Sequence, residues 1–455
     1  MTKTLLRLGH ALVAALALGA GGASAVVDGI TGPVFNLTAR ADYITAGDGA
    51  SLLAWGYAPD DAHPGHFQDV MQYPGPTMIV NEGDEVIVNL KNALPMPVSM
   101  VFPGQSGVTT SCDSATGGTP GALTCEAPPD GTTTVTYTFT ASHPGTYLYH
   151  SGTRPDLQVE MGLVGAIVVR PAGFDEGTNR TAYGDAGSAY DHEYLFLLTE
   201  MDFQVHEQVA INLMAGLPPE TGVNTADFTS EYWFINGRAA PDTMMAAGAG
   251  TPWMPTQPYN AMPRMFPGER LLMRVIGGGR DLHPFHHHGN NSWTIARDGR
   301  LLESVPGSGN PDLAVSDFTV KVVPGNTYDA IFEWTGKGLG WDIYGTVALN
   351  PHDCTPDTNG FDFDTKEWCA DHDKPLPVVL PNQQDLAFGG FWSGSPYLGA
   401  AGALPPGEGG LNANAGYFHM WHSHTEKEIT NNDIFPGGMM TMVVIEPRVE
   451  GVTIP

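Results

Sequence analysis

The sequence predicts an all-β protein built as two β-sandwich domains, and three observations predict it. Gly (57) and Pro (37) are abundant across the 455 residues, and helical periodicity is nearly absent. Short alternating runs dominate instead, such as Glu85-Val86-Ile87-Val88-Asn89-Leu90 and Thr134-Val135-Thr136-Tyr137-Thr138-Phe139, the second with Val, Tyr and Phe on one face. The chain also repeats itself. Gly83-Asp84-Glu85-Val86-Ile87-Val88-Asn89-Leu90 echoes Gly268-Glu269-Arg270-Leu271-Leu272-Met273-Arg274-Val275 at an offset of 185. Tyr149-His150-Ser151 echoes Trp421-His422-Ser423 at 272, and the Gly162–Pro171 segment echoes Gly438–Pro447 at 276.

Taken in chain order, residues 1–25 predict a secretory signal peptide. Lys3 and Arg7 precede the apolar run Leu8–Ala20, and Ala23-Ser24-Ala25 is a small-residue cleavage pattern. The apolar run is too short to span a bilayer comfortably, and no other segment is apolar enough, so no membrane span is expected after cleavage. The leader lacks a twin-Arg pair, which predicts export unfolded and metal acquisition outside the cytoplasm, in the periplasm or beyond. Residues 26–172 form the first predicted sandwich, 173–189 a linker and 190–455 the second. The growth of the offset from 185 to 272 places about 87 extra residues in the second copy. The Gly/Pro/Asp-rich stretch 350–415 is the expected insertion, running over the surface.

Four Cys come as two local pairs, Cys112 with Cys125 and Cys354 with Cys369. In an exported chain such pairs predict disulfides, although count and spacing leave the connectivity open. Thiolate metal ligation is the rival reading, and no Cys sits beside a His or in a C-x-x-C pair to favour it.

Charge narrows the partners. With 20 Lys+Arg against 49 Asp+Glu, the formal net charge is −29. No basic cluster exists to neutralise phosphates, so nucleic acid binding is not expected, nor is attraction to an anionic membrane. Plentiful aromatic residues exclude global disorder. An acidic surface attracts metal cations, which directs attention to the 16 His.

Three places in the mature chain carry candidate metal chemistry: His283-Pro284-Phe285-His286-His287-His288-Gly289, His419-Met420-Trp421-His422-Ser423-His424, and the single His150. On a strand, residues i and i+2 share a face. His286 and His288 therefore point one way, as do His422 and His424, and two such pairs on neighbouring strands converge imidazoles suited to Cu, Zn, Fe or Ni. If the second strand continued, Glu426 and Glu428 would join that face and suit a harder metal; the preferred reading ends the strand near His424 and leaves both acids in solvent. Met244, Met245, Met254, Met262 and Met265 crowd one stretch, readable either as Cu(I)-selecting thioethers or as core filling. His352 and His372 flank the Cys354/Cys369 loop and read as incidental.

The His283-Pro284-Phe285-His286-His287-His288-Gly289 run is similar to the H-P-x-H-x-H-G motif of multicopper oxidases. Tyr73-Pro74-Gly75-Pro76-Thr77, Phe234-Ile235-Asn236-Gly237 and Pro324-Gly325-Asn326-Thr327-Tyr328-Asp329 extend the resemblance across nearly the whole mature chain. The resemblance implies cupredoxin-like Greek-key sandwiches, a type 1 blue copper, and a trinuclear copper cluster held by eight His from four H-x-H pairs. This chain departs from that set. His286 and His288 match one pair and His422 and His424 another. Subtracting the repeat offsets places Val101 and Pro103 where one first-domain pair would lie, and His150 with Gly152 where the other would lie. Five of the eight ligands remain: His150, His286, His288, His422 and His424.

At the type 1 position the departure is larger. Ser423 stands where the family has a Cys, and a hydroxyl cannot replace a soft thiolate. Glu428 stands at the second imidazole, only His283 matches, and Met439 or Met440 resembles an axial ligand. No blue centre is expected. The reading is an exported copper oxidoreductase holding one or two copper ions rather than four, working with O2 or another small oxidant on a metal ion or a phenol. The alternatives are a non-catalytic copper-binding, storage or tolerance protein, and a bare structural scaffold. Two-domain members of the family often share sites between subunits of a trimer, and here His150 alone would serve such a site.

Overall fold

A computed structural model describes residues 27–113, 117–248, 251–348, 351–375 and 417–446. The predicted leader, and the predicted insertion from 376 on, lie outside the described residues.

Four main sheets form two facing pairs. In the first pair, a five-stranded sheet runs Ser51–Pro59, Val34–Thr45, Glu85–Asn92, Val135–Thr140, Thr109–Thr110. Opposite it lies a four-stranded sheet of Ile30–Thr31, Gly75–Asn81, Val164–Arg170 and Gly145–His150. The alternating run does what period two requires: Val135, Tyr137 and Phe139 are buried, and they meet Phe35, Trp55, Met78 and Ile167 in one core. In the second pair, a seven-stranded sheet centred on His192–Met201, Arg270–Gly277 and Thr327–Glu333 faces a five-stranded sheet. The latter runs Arg264–Met265, Met440–Ile445, Tyr417–Ser423, His283–His287, Thr319–Val322. The core between them holds Phe196, Met273, Phe285, Trp421 and Val443.

The duplication is visible in the wiring. Val34–Thr45 pairs parallel with Glu85–Asn92, which pairs antiparallel with Val135–Thr140. His192–Met201 pairs parallel with Arg270–Gly277, which pairs antiparallel with Thr327–Glu333. A third apolar layer joins the two pairs, with Leu148, Val164 and Val168 against Leu195, Leu197 and Ile276. Beside it, the buried Glu193 carboxylate takes Arg170 and Arg274 together. Burial alone would raise the pKa of Glu193, but the two guanidiniums outweigh it and hold the carboxyl at about 2.

One helix of three turns, Phe203–Met214, is capped by Asp202, whose carboxylate accepts from the Gln204 N–H at 2.8 Å. Its Val205 and Val209 bury into the first core. Among the described residues no helix is long and apolar enough to cross a membrane. Cys112–Cys125 and Cys354–Cys369 are disulfides, so neither pair is free to bind metal as thiolate.

Candidate metal centre

Two adjacent strands build the centre, and their pleat separates it into two sites. His283–His287 pairs antiparallel with Tyr417–Ser423, placing Phe285 opposite Ser423 and His286 opposite His422. Phe285 and Trp421 point into the core. By alternation His283 and Ser423 share that face, while His286, His288 and His422 share the other.

On the second face, ligand atoms of His286, His288 and His422 all lie within 4.8 Å of one another. Nε2 of His288 is 3.2 Å from Nε2 of His422. Imidazole nitrogens bound about 2.0–2.1 Å from one metal ion lie roughly 3 Å apart, so this spacing fits co-ligands. Two of the rings, and the backbone of the third, are held from outside the group. Nδ1 of His422 meets the Ser423 carbonyl at 2.7 Å, which leaves Nε2 with its lone pair. Nδ1 of His286 meets the Thr319 hydroxyl at 3.1 Å, while its Nε2 is buried without a hydrogen-bond partner. The indole N–H of Trp421 donates to the His288 carbonyl at 3.1 Å.

Burial first, then the neighbouring imidazoles, push His286 down to about 4 and His288 to about 2. Burial likewise lowers His422. All three are therefore neutral and able to ligate near neutral pH. His424 stands at the rim, where the strand has ended. Its ring centroid is 5.0 Å from that of His286, and its Nδ1 is 3.1 Å from the exposed Glu426 carboxylate. His150 is not in this group. It lies across from Val101 in the first sandwich, and its Nδ1 meets the Ser151 carbonyl at 2.9 Å, as His422 meets Ser423.

The core-facing site is wired differently. His283 is fully buried, with Nδ1 2.9 Å from Glu428 Oε2 and Nε2 2.9 Å from Glu200 Oε2. The Ser423 hydroxyl donates to the same Glu428 oxygen at 2.5 Å. Burial would lower the His283 pKa, but the two carboxylates overcome it and raise the ring to about 9. An imidazolium with both nitrogens engaged has no lone pair for a metal, and no thiolate is present. These residues do not fit a type 1 copper, although Met439 is buried nearby with its N–H on the Glu428 carbonyl.

Glu428 also corrects the expectation of two solvated acids. The strand does end, at Ser423, but the 3-10 turn Glu426–Ile429 carries Glu428 back into the core and leaves only Glu426 exposed. Glu200 was invisible to sequence reading, since it lies 83 residues from His283 with no shared motif. Of the crowded methionines, Met254 and Met265 are buried and Met245 is exposed.

The fold defines the class, a protein of tandem cupredoxin-like sandwiches. Residues 69–173 match the multicopper oxidase family model. Laccase-1 of Cryptococcus neoformans var. neoformans serotype D is 27% identical over 274 residues, 60% of this chain and 39% of that protein. The iron transport multicopper oxidase fetC of Epichloe festucae is 40% identical over 106 residues, 23% of this chain and 16% of that protein. The crystal structure of blue copper oxidase from Nitrosomonas europaea superposes with a TM-score of 0.51 at 18% identity, covering 92% of this chain and 85% of that one. At that identity the likeness is one of fold. Sequence and fold together make this chain similar to the multicopper oxidases. Its alignment with the laccase spans 39% of that relative's length.

Proposed function

We propose that this chain is an exported copper-binding oxidoreductase that holds one or two copper ions at His286, His288 and His422, with His424 at the rim, and lacks a type 1 blue centre. The observation that carries the reading is the 3.2 Å approach of the His288 and His422 Nε2 atoms beside the orphaned His286 Nε2. Copper bound there would supply one-electron transfer and a place for O2 or another small oxidant. The chain's own part is orientation: Thr319 turns His286, the Ser423 carbonyl sets the His422 tautomer, and Trp421 anchors the His288 backbone. Burial keeps the three rings unprotonated. In this reading residues 1–25 direct the chain to the periplasm or outside the cell, and 26–172 and 190–455 are the two domains. His150, apart from the group within one chain, would complete a site only across a contact with another copy, as in a trimer.

The ion-paired His283 favours one second reading, non-catalytic copper binding or storage. A protein without the blue relay and with its position closed by carboxylates keeps a copper site but not a route for electrons to it. Copper loading followed by metal analysis, EPR, absorption and O2 uptake separates these. Stoichiometric copper without a blue band is expected, lost in His286→Ala/His422→Ala, with O2 consumed when a metal ion or phenol is the reductant. Bound copper with no O2 uptake on any reductant would select storage. Copper retained unchanged by the double variant would remove the site altogether.

A further inference from the structure

We propose that Asp342, His352, Glu367 and His372 form a second metal site, separate from the copper position, that takes a divalent first-row ion of the Zn2+ class and clamps the 342–374 segment. One ligand atom from each of the four lies within 4.8 Å of all the others. His352 Nε2 is 3.3 Å from Asp342 Oδ2 and 3.1 Å from Glu367 Oε2. His372 Nδ1 is 2.8 Å from Glu367 Oε1 and 3.8 Å from Asp342 Oδ2. Donors about 2.1 Å from a tetrahedral ion sit roughly 3.4 Å apart, and these separations bracket that edge.

The electrostatics favour a cation. Both carboxylates are buried, Asp342 with 0% and Glu367 with 5% of the side chain exposed. Among the described residues no Lys or Arg pairs with either. Glu367 Oε1 and His372 Nδ1 stand 2.8 Å apart, and both are buried without a hydrogen-bond partner. Two lone-pair atoms in that relation are placed as ligands of a common ion.

The frame is rigid. Asp342 accepts the backbone N–H of Tyr344 at 2.9 Å and of Asp373 at 3.0 Å. The Cys354–Cys369 disulfide ties the stretch just after His352 to the one just after Glu367. The Trp368 indole N–H donates to the Thr335 carbonyl at 2.9 Å. Two imidazoles and two carboxylates are a borderline donor set that suits Zn2+, and four protein donors leave no open position, which makes the site structural rather than catalytic.

The test uses the full chain, stripped with chelator and then equilibrated with Zn2+ alone. One Zn2+ per chain is expected in the His286→Ala/His422→Ala variant, in which the copper position is disabled, together with a rise in Tm on zinc addition. Added to that copper-disabled variant, His352→Ala/His372→Ala, or the milder His372→Asn, should lose that equivalent and that rise, and the same changes in the parent chain should leave copper binding and far-UV circular dichroism unchanged. No zinc in the copper-disabled variant, or full zinc in His372→Asn and the double variant alike, would overturn the site. Because the readout is zinc with the copper ligands removed, it stands whatever the outcome for copper.

Discussion

Val101 faces His150 across an antiparallel bridge, with N–H···O distances of 2.9 and 3.2 Å, in the same register in which His286 faces His422. The first sandwich therefore repeats the backbone frame of the second, with Val101 rather than a second imidazole opposite His150. A single ring does not hold copper against water, whereas three converging rings do. In monomeric fractions, His150→Ala should leave copper stoichiometry unchanged and His422→Ala should abolish it. In any trimeric fraction both should lower it. Size-exclusion chromatography with in-line metal analysis reads both, and copper loss from a His150→Ala monomer would show that the first sandwich binds metal by itself.

The core-facing site makes a sharper claim about the blue centre. Ser423→Cys alone should not create an intense blue band, because Glu428 would still occupy Nδ1 of His283. Ser423→Cys/Glu428→His removes that carboxylate and adds an imidazole, and on copper loading it should show the band and the narrow EPR hyperfine pattern of a Cu–thiolate. A blue band in the single variant would mean that the Glu428 contact does not bar the metal.

The same contact gives a pH dependence of stability. His283 is raised from 6.5 to about 9 in the folded chain by Glu200 and Glu428. Its contribution is fully present below the unfolded value, near 6.5, and is lost as pH rises through about 9. The size is on the order of 3 kcal/mol for a shift of that extent. Urea unfolding of the apoprotein should show stability falling between about pH 6.5 and 9, and Glu428→Gln should flatten that slope.

Much of this arrangement is legible in the sequence, and the illegible part has a common cause. The alternation of Val135, Tyr137 and Phe139 and the repeat offsets carry the sheets, because strand periodicity is local and duplicated wiring preserves spacing. The grouping of His286, His288 and His422 follows from two H-x-H runs on strands that pair. Glu200 comes from a different strand of the opposite sheet and leaves no local trace. Glu428 reaches the core only because a 3-10 turn reverses its direction, which alternation alone would not place. Asp342, His352, Glu367 and His372 converge from irregular loops and a two-stranded ribbon, where neither period holds.

The three-imidazole site should respond to acid in the opposite sense to His283. His286 and His288 are lowered to about 4 and about 2, chiefly by burial. The unfolded chain binds those protons first, so apoprotein stability should fall as pH drops from about 6.5 toward 4. Copper holds the rings unprotonated and should offset the loss. Melting curves of apo and copper-loaded protein should therefore diverge between about pH 6.5 and 4, and the divergence should vanish in His286→Ala/His422→Ala.

Trp421 couples the core to the three-imidazole group. Its ring packs against Phe332 at 5.0 Å, Phe196 at 5.7 Å and His287 at 5.9 Å between centroids, and its N–H holds the His288 carbonyl. Trp421→Ala should cost about 3–5 kcal/mol, the range for deleting a large buried aromatic. Trp421→Phe keeps most of the packing and removes the hydrogen bond, worth about 0.5–1.5 kcal/mol with a further cost for the unpaired carbonyl. If the indole sets the position of His288, Trp421→Phe should weaken copper binding several-fold at little cost in folding, as read by competitive chelator titration beside urea unfolding. Equal copper affinity in Trp421→Phe and the parent would reduce Trp421 to a core residue and leave His288 positioned by its own strand.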